Sequence, residues 1–166
     1  MNHYTFWGLV KKYFHYLVEN YNFTATEYYD PQYENISVGF EAHNVLISFS
    51  YDRGDVYIEL TNLFDPQKRG HDPGTVVEFL EPSIYNGLKA GGGTKLSEDP
   101  VRRVEAELSY WSPLIRQYCE PILTGMFAKW NELNEFEDKS LEEFKEKELP
   151  QVIREIRKEN SNKTDA

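Results

Sequence analysis

Between Ile36 and Leu63 apolar and polar residues alternate in three runs. They are Ile-Ser-Val-Gly-Phe-Glu, Val-Leu-Ile-Ser-Phe-Ser-Tyr-Asp and Asp-Val-Tyr-Ile-Glu-Leu-Thr-Asn-Leu. A period of two is the mark of a strand with one buried face. A short loop at Arg53-Gly54 pairs Tyr51 with Val56, Phe49 with Ile58 and Ile47 with Leu60, all apolar. A slip of one residue would oppose apolar to polar throughout, so the pattern selects this register. A loop at Glu41-Ala42-His43-Asn44 would likewise pair Phe40 with Val45, Val38 with Ile47 and Ile36 with Phe49. Asn44 suits a left-handed position in such a loop. Phe23 to Tyr29, rich in Thr and Tyr, supplies a further strand before the turn at Asp30-Pro31-Gln32.

Helical spacing brackets this sheet. Phe6, Leu9, Val10, Tyr13, Leu17 and Tyr21 mark an amphipathic helix from Thr5 to Asn20, with Asn22 as a left-handed stop. After the sheet, Phe64 to Gly74 reads as a loop, and Val76 to Leu80 as a short helix ending before Pro82. Gly87 to Leu96, with Gly91-Gly92-Gly93-Thr94-Lys95, reads as a flexible connection. Ser97 or Asp99 then caps a helix with Pro100 in its first turn. Val101, Val104, Leu108 and Trp111 give its apolar face. Ser112-Pro113 reads as a new cap or a kink, Ile115, Tyr118, Ile122 and Leu123 continue the stripe, and Gly125 stops it. Phe127 and Trp130 would anchor a loop. Ser140 with Glu143 forms a capping box that opens a last helix, interrupted at Pro150 and resumed by Val152, Ile153 and Ile156.

The expected fold class is therefore α+β: an N-terminal helix, a four-stranded antiparallel meander, and a helical C-terminal half on one face of the sheet. A single domain over residues 1–160 is expected, with 161–166 as a frayed tail. Leu9, Tyr13, Leu17, Val38, Phe40, Ile47, Phe49, Ile58 and Leu60 are the expected core.

Composition narrows function by exclusion. The 166 residues carry a formal net charge of -10, which disfavours direct nucleic-acid binding and favours a basic protein partner. One cysteine, Cys119, allows no internal disulfide. The N-terminus lacks the basic and small-residue features of a signal peptide, and no apolar run is long enough for a membrane span. The expected location is cytoplasmic.

Chemistry is sparse. His3, His15, His43 and His71 have no second ligand at metal spacing, so no metal or cofactor is expected. Cys119 continues an apolar stripe and has no local base, so no catalytic residue is assigned. The Gly91–Lys95 run has Thr before Lys and no preceding strand, which departs from a phosphate loop. Glu132, Glu135, Glu137 and Asp138 read as a solvated helical surface.

Tyr13 to Phe40, with Leu17-Val18-Glu19-Asn20-Tyr21-Asn22-Phe23 leading to Asp30-Pro31, resembles the front half of small bacterial α+β proteins of unknown function. Gln117-Tyr118-Cys119-Glu120-Pro121-Ile122-Leu123-Thr124-Gly125, followed by Trp130, resembles a segment near their C-terminal end. Some small acidic proteins of this look are immunity proteins that neutralise bacterial toxins. The resemblance carries over no functional residue.

Together these readings give an expected function: a non-catalytic binding or inhibitor protein, such as a toxin-neutralising immunity protein, with an acidic surface. The alternatives are a small enzyme with a dispersed site, or a phage-encoded inhibitor of a host system. The expected partner-binding residues lie on the polar side of the meander: Ser48, Ser50, Asp52, Asp55, Tyr57 and Glu59. Asp52, Asp55 and Glu59 supply charge, and Tyr57 a typical interface anchor.

Overall fold

The computed structural model describes residues 1–29, 36–52, 55–84 and 99–151. The turns at Asp30-Pro31-Gln32 and Arg53-Gly54, the glycine run, the Ser97 cap, the apolar residues after Pro150 and the 161–166 tail lie outside them. The chain divides into two compact units, Met1–Ala128 and Lys129–Ala166.

The first unit is an antiparallel sheet with helices on one face. Helix α1 spans His3–Tyr21. Its N-terminus is capped by the Asn2 side chain, which accepts from the Thr5 N–H at 2.9 Å. It ends at Asn22 in the left-handed conformation, φ 58°. Strands β1 (Thr24–Tyr29), β2 (Ile36–Ala42), β3 (Val45–Asp52), β4 (Asp55–Asn62) and β5 (Gly70–His71) lie side by side in chain order. The expected meander is thus present with a fifth strand added. β5 falls inside the stretch expected to be loop. It forms only two pairs, Leu60 with His71 and Thr61 with Gly70, too few to leave a period in the sequence.

The β3–β4 register is as expected: Tyr51 faces Val56, Phe49 faces Ile58 and Ile47 faces Leu60. The β2–β3 register is corrected by two residues. Phe40 faces Ile47, Val38 faces Phe49, Ile36 faces Tyr51, and Ala42 closes the ladder against Val45. The connection is therefore two residues long, His43 and Asn44, both with positive φ (52° and 62°). Two positive φ values in succession define the hairpin turn whose twist matches that of the strands. Asn accepts that conformation readily. His43 is held in it by neighbours: its Nε2 donates to the Tyr21 carbonyl at 3.1 Å, and its ring meets Phe23 edge-on. A shift of two preserves the faces, so the division into apolar and polar sides is unaffected.

The apolar side is the core. Val38, Phe40, Ile47, Phe49 and Leu60 are at most 1% exposed, and Leu17 of α1 is fully buried. α1 meets the sheet through aromatic pairs: Phe14 with Phe49 at 4.5 Å, Trp7 with Phe40 at 5.8 Å and Phe6 with Tyr51 at 5.9 Å. Such pairs add roughly 0.5–1.5 kcal/mol each beyond the area they bury. The buried face of α1 is Phe6, Trp7, Val10, Phe14, Tyr16 and Leu17, whereas Leu9 and Tyr13, expected in the core, are half-buried. The helix is apolar around more than one face, and periodicity alone does not say which residue of each adjacent pair meets the sheet.

Helix α2 spans Pro73–Leu80, starting earlier than expected because Asp72 caps it and Pro73 opens it. Helix α3 spans Pro100–Tyr118, with Asp99 as cap and Pro100 in the first turn. It packs beside α1 and against β4, burying Val104, Leu108 and Ile115, and α2 packs against α3. Ser112-Pro113 starts no new helix. α3 runs through Pro113, and the Ser112 hydroxyl donates to the Tyr13 carbonyl at 2.6 Å. A short turn, α4 (Glu120–Leu123), buries Ile122 and Leu123 and ends at Gly125, φ 71°.

The second unit contains helix α5, Trp130–Glu143, where a loop was expected. Ser140 lies inside it, so the Ser140–Glu143 pair is not a capping box. Nothing between Trp130 and Leu149 breaks a helix, and Ser-x-x-Glu recurs by chance in so acidic a segment. The backbone widens to a π turn at Phe144–Glu148, where the Leu149 N–H returns to the Phe144 carbonyl. Helical backbone continues through 149–151, so Pro150 does not end it. The widened turn comes directly before Pro150, whose ring lacks the N–H that a regular ladder would use.

Candidate functional site

The six expected site residues stand on one face of β3 and β4, opposite the helices. Register places Ser48 against Glu59, Ser50 against Tyr57 and Asp52 against Asp55. Ser48, Ser50 and Asp52 are half-buried, Asp55 and Glu59 are exposed, and Tyr57 is 53% exposed. The Arg53-Gly54 turn joining the pair lies outside the described residues.

The same face continues onto strands that sequence reasoning did not include. Across β2, Ser37 faces Ser50, Gly39 faces Ser48 and Glu41 faces Leu46. The Ser37 and Ser50 hydroxyls lie 3.2 Å apart. A Cβ on Gly39 would sit 2.9 Å from Leu46 Cδ1 and 3.1 Å from Thr26 Oγ1, so glycine there lets Leu46 and Thr26 close over the backbone. At the far edge a Cβ on Gly70 would meet the Glu59 carboxyl carbon at 2.8 Å, so the Glu59 side chain lies across β5. The period of two already marked Ser37 and Gly39 as outward; assigning Glu41 to a loop removed it from the face.

Every charged residue at an outward described position of β2, β3 and β4 is acidic: Glu41, Asp52, Asp55 and Glu59. Glu107 on α3 adds to this field. Its carboxyl is raised above the ordinary value by burial first and by the nearby Asp55 charge second. That proximity joins residues far apart in sequence, and no spacing announces it.

Other titratable groups are structural. Lys12 Nζ lies 2.6 Å from Glu105 Oε1, and the Tyr13 hydroxyl donates to the same oxygen at 3.0 Å. These partners hold Glu105 below the usual carboxylate range, and they join α1 to α3. The Tyr16 hydroxyl donates to the Ser112 carbonyl at 3.2 Å, and burial pushes its pKa up. Cys119 is fully buried, and burial pushes its thiol up to about 12, so it carries no thiolate at neutral pH. His15 is exposed beside Glu19, His43 braces the β2–β3 turn, and His71 is buried under the sheet. Among the described residues no three His, Cys, Asp or Glu come together so as to hold a metal ion. No helix among them is long and apolar enough to cross a membrane.

Comparison of the chain with protein-family models, curated proteins and solved structures finds no match.

Proposed function

We propose that this chain is a binding protein that acts by covering a basic surface of a protein partner, as a toxin-neutralising inhibitor does. One observation carries the reading. The sheet presents a polar face on the side away from α1, with four carboxylates and a half-exposed tyrosine at outward positions. Opposite charge speeds the encounter with a basic partner, and a large aromatic beside the carboxylates supplies contact area. Occlusion requires no catalytic group, only a surface held rigid by the core beneath it.

The test is capture of the partner from the native cell, followed by assay of the partner's activity with and without this protein. Inhibition at a one-to-one ratio is expected. The joint variant Asp52→Lys, Asp55→Lys, Glu59→Lys should fold normally and associate roughly tenfold more slowly at low salt. Unchanged association by that folded variant would reject this face.

A further inference from the structure

We infer that the helix of the second unit pairs antiparallel with the same helix of a second copy of this chain, through Leu141, Phe144 and Leu149. This contact is separate from the acidic face of the sheet.

Exposure is the first argument. From Asp138 to Gln151 the backbone is helical, and no described side chain there is buried. Leu141 is 48% exposed, Phe144 40% and Leu149 37%. A helix this short with no packed face is marginal in water, because helices in proteins draw most of their stability from burying an apolar stripe.

Phase is the second. Leu149 follows Leu141 by eight residues and Phe144 by five. In a regular helix, at about 100° per residue, it would stand about 80° from Leu141 and about 140° from Phe144. The π turn at Phe144–Glu148 removes that mismatch. Its bond from the Leu149 N–H to the Phe144 carbonyl takes up one residue more than an α turn, so Leu149 is set back by one position. It then stands about 20° from Leu141 and about 40° from Phe144. Three large apolar residues thus share one stripe, at the spacing of a two-helix seam. In the sequence Val152, Ile153 and Ile156 follow Leu149 by three, four and seven residues, which repeats that spacing.

Charge is the third, and it selects the occupant. The whole chain carries -10, so two copies repel over most of their surface. From Lys139 to Lys158, six basic residues stand against five acidic ones, so two copies meet here without that repulsion. The charges are also ordered along the chain. Glu132, Glu135, Glu137, Asp138, Glu142 and Glu143 come before Phe144. After it the basic residues, Lys145, Lys147, Arg154, Arg157 and Lys158, outnumber the acidic ones. Antiparallel pairing lays the acidic half of one helix along the basic half of the other, whereas parallel pairing sets like on like. A two-fold axis beside Leu149 closes the pair, so association stops at two.

The test is sedimentation of the full chain from about 10 µM to about 1 mM, where a monomer–dimer equilibrium with Kd on the order of 100 µM is expected. The joint variant Leu141→Gln, Phe144→Gln, Leu149→Gln keeps the charge and changes only exposed side chains. It should keep the thermal transition of the full chain and weaken dimerisation at least tenfold. Orientation is read by a nitroxide on Lys139→Cys. Cys119 is buried and carries no thiolate at neutral pH, so the added cysteine alone takes the label. Lys139 is ten residues from Leu149, so antiparallel copies place the two labels about 30 Å apart at about 1.5 Å per residue, and parallel copies place them within about 15 Å. A monomer at every concentration would overturn the inference and leave the stripe to another segment of the chain or another protein. A glutamine variant that dimerises as well as the original chain, or the short label distance, would overturn it too.

Discussion

Phe49 sits where three aromatic residues meet: its ring is 4.5 Å from Phe14 and 5.9 Å from Phe40, and it is fully buried. Phe49→Ala should cost about 3–5 kcal/mol, measured by chemical denaturation, because the surrounding rings cannot collapse into the space. A loss under about 1 kcal/mol would place Phe49 outside the core. Phe49 was legible from alternation alone. Phe14 was not, because it adjoins Tyr13 and either could face the sheet. The buried thiol and phenol set the pH dependence. Cys119 is raised from 9.0 to about 12, and Tyr16 is raised from 10.0. A raised folded-state value means the unfolded chain loses its proton first. The stability due to these groups is therefore complete below pH 9.0 and is lost as pH rises towards their folded values. Thermal midpoints should fall steadily above pH 9.0, and Tyr16→Phe should flatten part of that fall. Glu107, also raised, works against the fold as it ionises above its unfolded value, so Glu107→Gln should stabilise the protein at neutral pH and give no gain in strong acid.

At the scale of elements, the sheet was legible because burial of one face imposes a period that a single sequence records. What it did not record was the exact loop between β2 and β3. Registers two residues apart bury the same face, so alternation cannot separate them, and the choice falls to turn geometry. That geometry is supported from outside the hairpin. Gly125, at φ 71°, comes so close to His43 that an added Cβ would lie 2.6 Å from the His43 Cβ. Gly125→Ala should therefore destabilise by about 1–3 kcal/mol through the left-handed backbone alone, with a further steric penalty against His43. In a double-mutant cycle with His43→Gly, which removes the opposing Cβ, the steric part should disappear and the backbone part remain, which denaturation midpoints of the four proteins would measure. Strict additivity would mean that the two residues do not press on each other. The misread capping box has a different origin. The N-terminal signals of a helix are short polar patterns, and α5 is polar along most of its length, so the pattern appears inside the helix as readily as at its start.

At the scale of the molecule, the candidate site is a consequence of layering. Helices on one side of a meander leave the other side polar, and the strand order alone determines which side chains become neighbours there. The carboxylates of β3 and β4 could be grouped from the sequence because a hairpin joins them. Glu41 and Glu107 could not, since one required the corrected turn and the other the docking of α3 beside β4. The site's parts all belong to the unit Met1–Ala128, which also holds every buried residue of α1, α2, α3 and the sheet. The shortened chain 1–128 should therefore fold on its own, with a single cooperative denaturation transition and the same amide shifts for β2, β3 and β4. If the proposed face is the interface, the shortened chain should also bind what the full chain captures, because β2, β3 and β4 all lie within it. On the same proposal, association of the full chain and of chain 1–128 should slow together as salt rises, since the carboxylates proposed to steer the encounter are common to both. Loss of binding by a folded 1–128 chain would move the interface to the acidic helix α5, where Glu132, Glu135 and Asp138 are exposed.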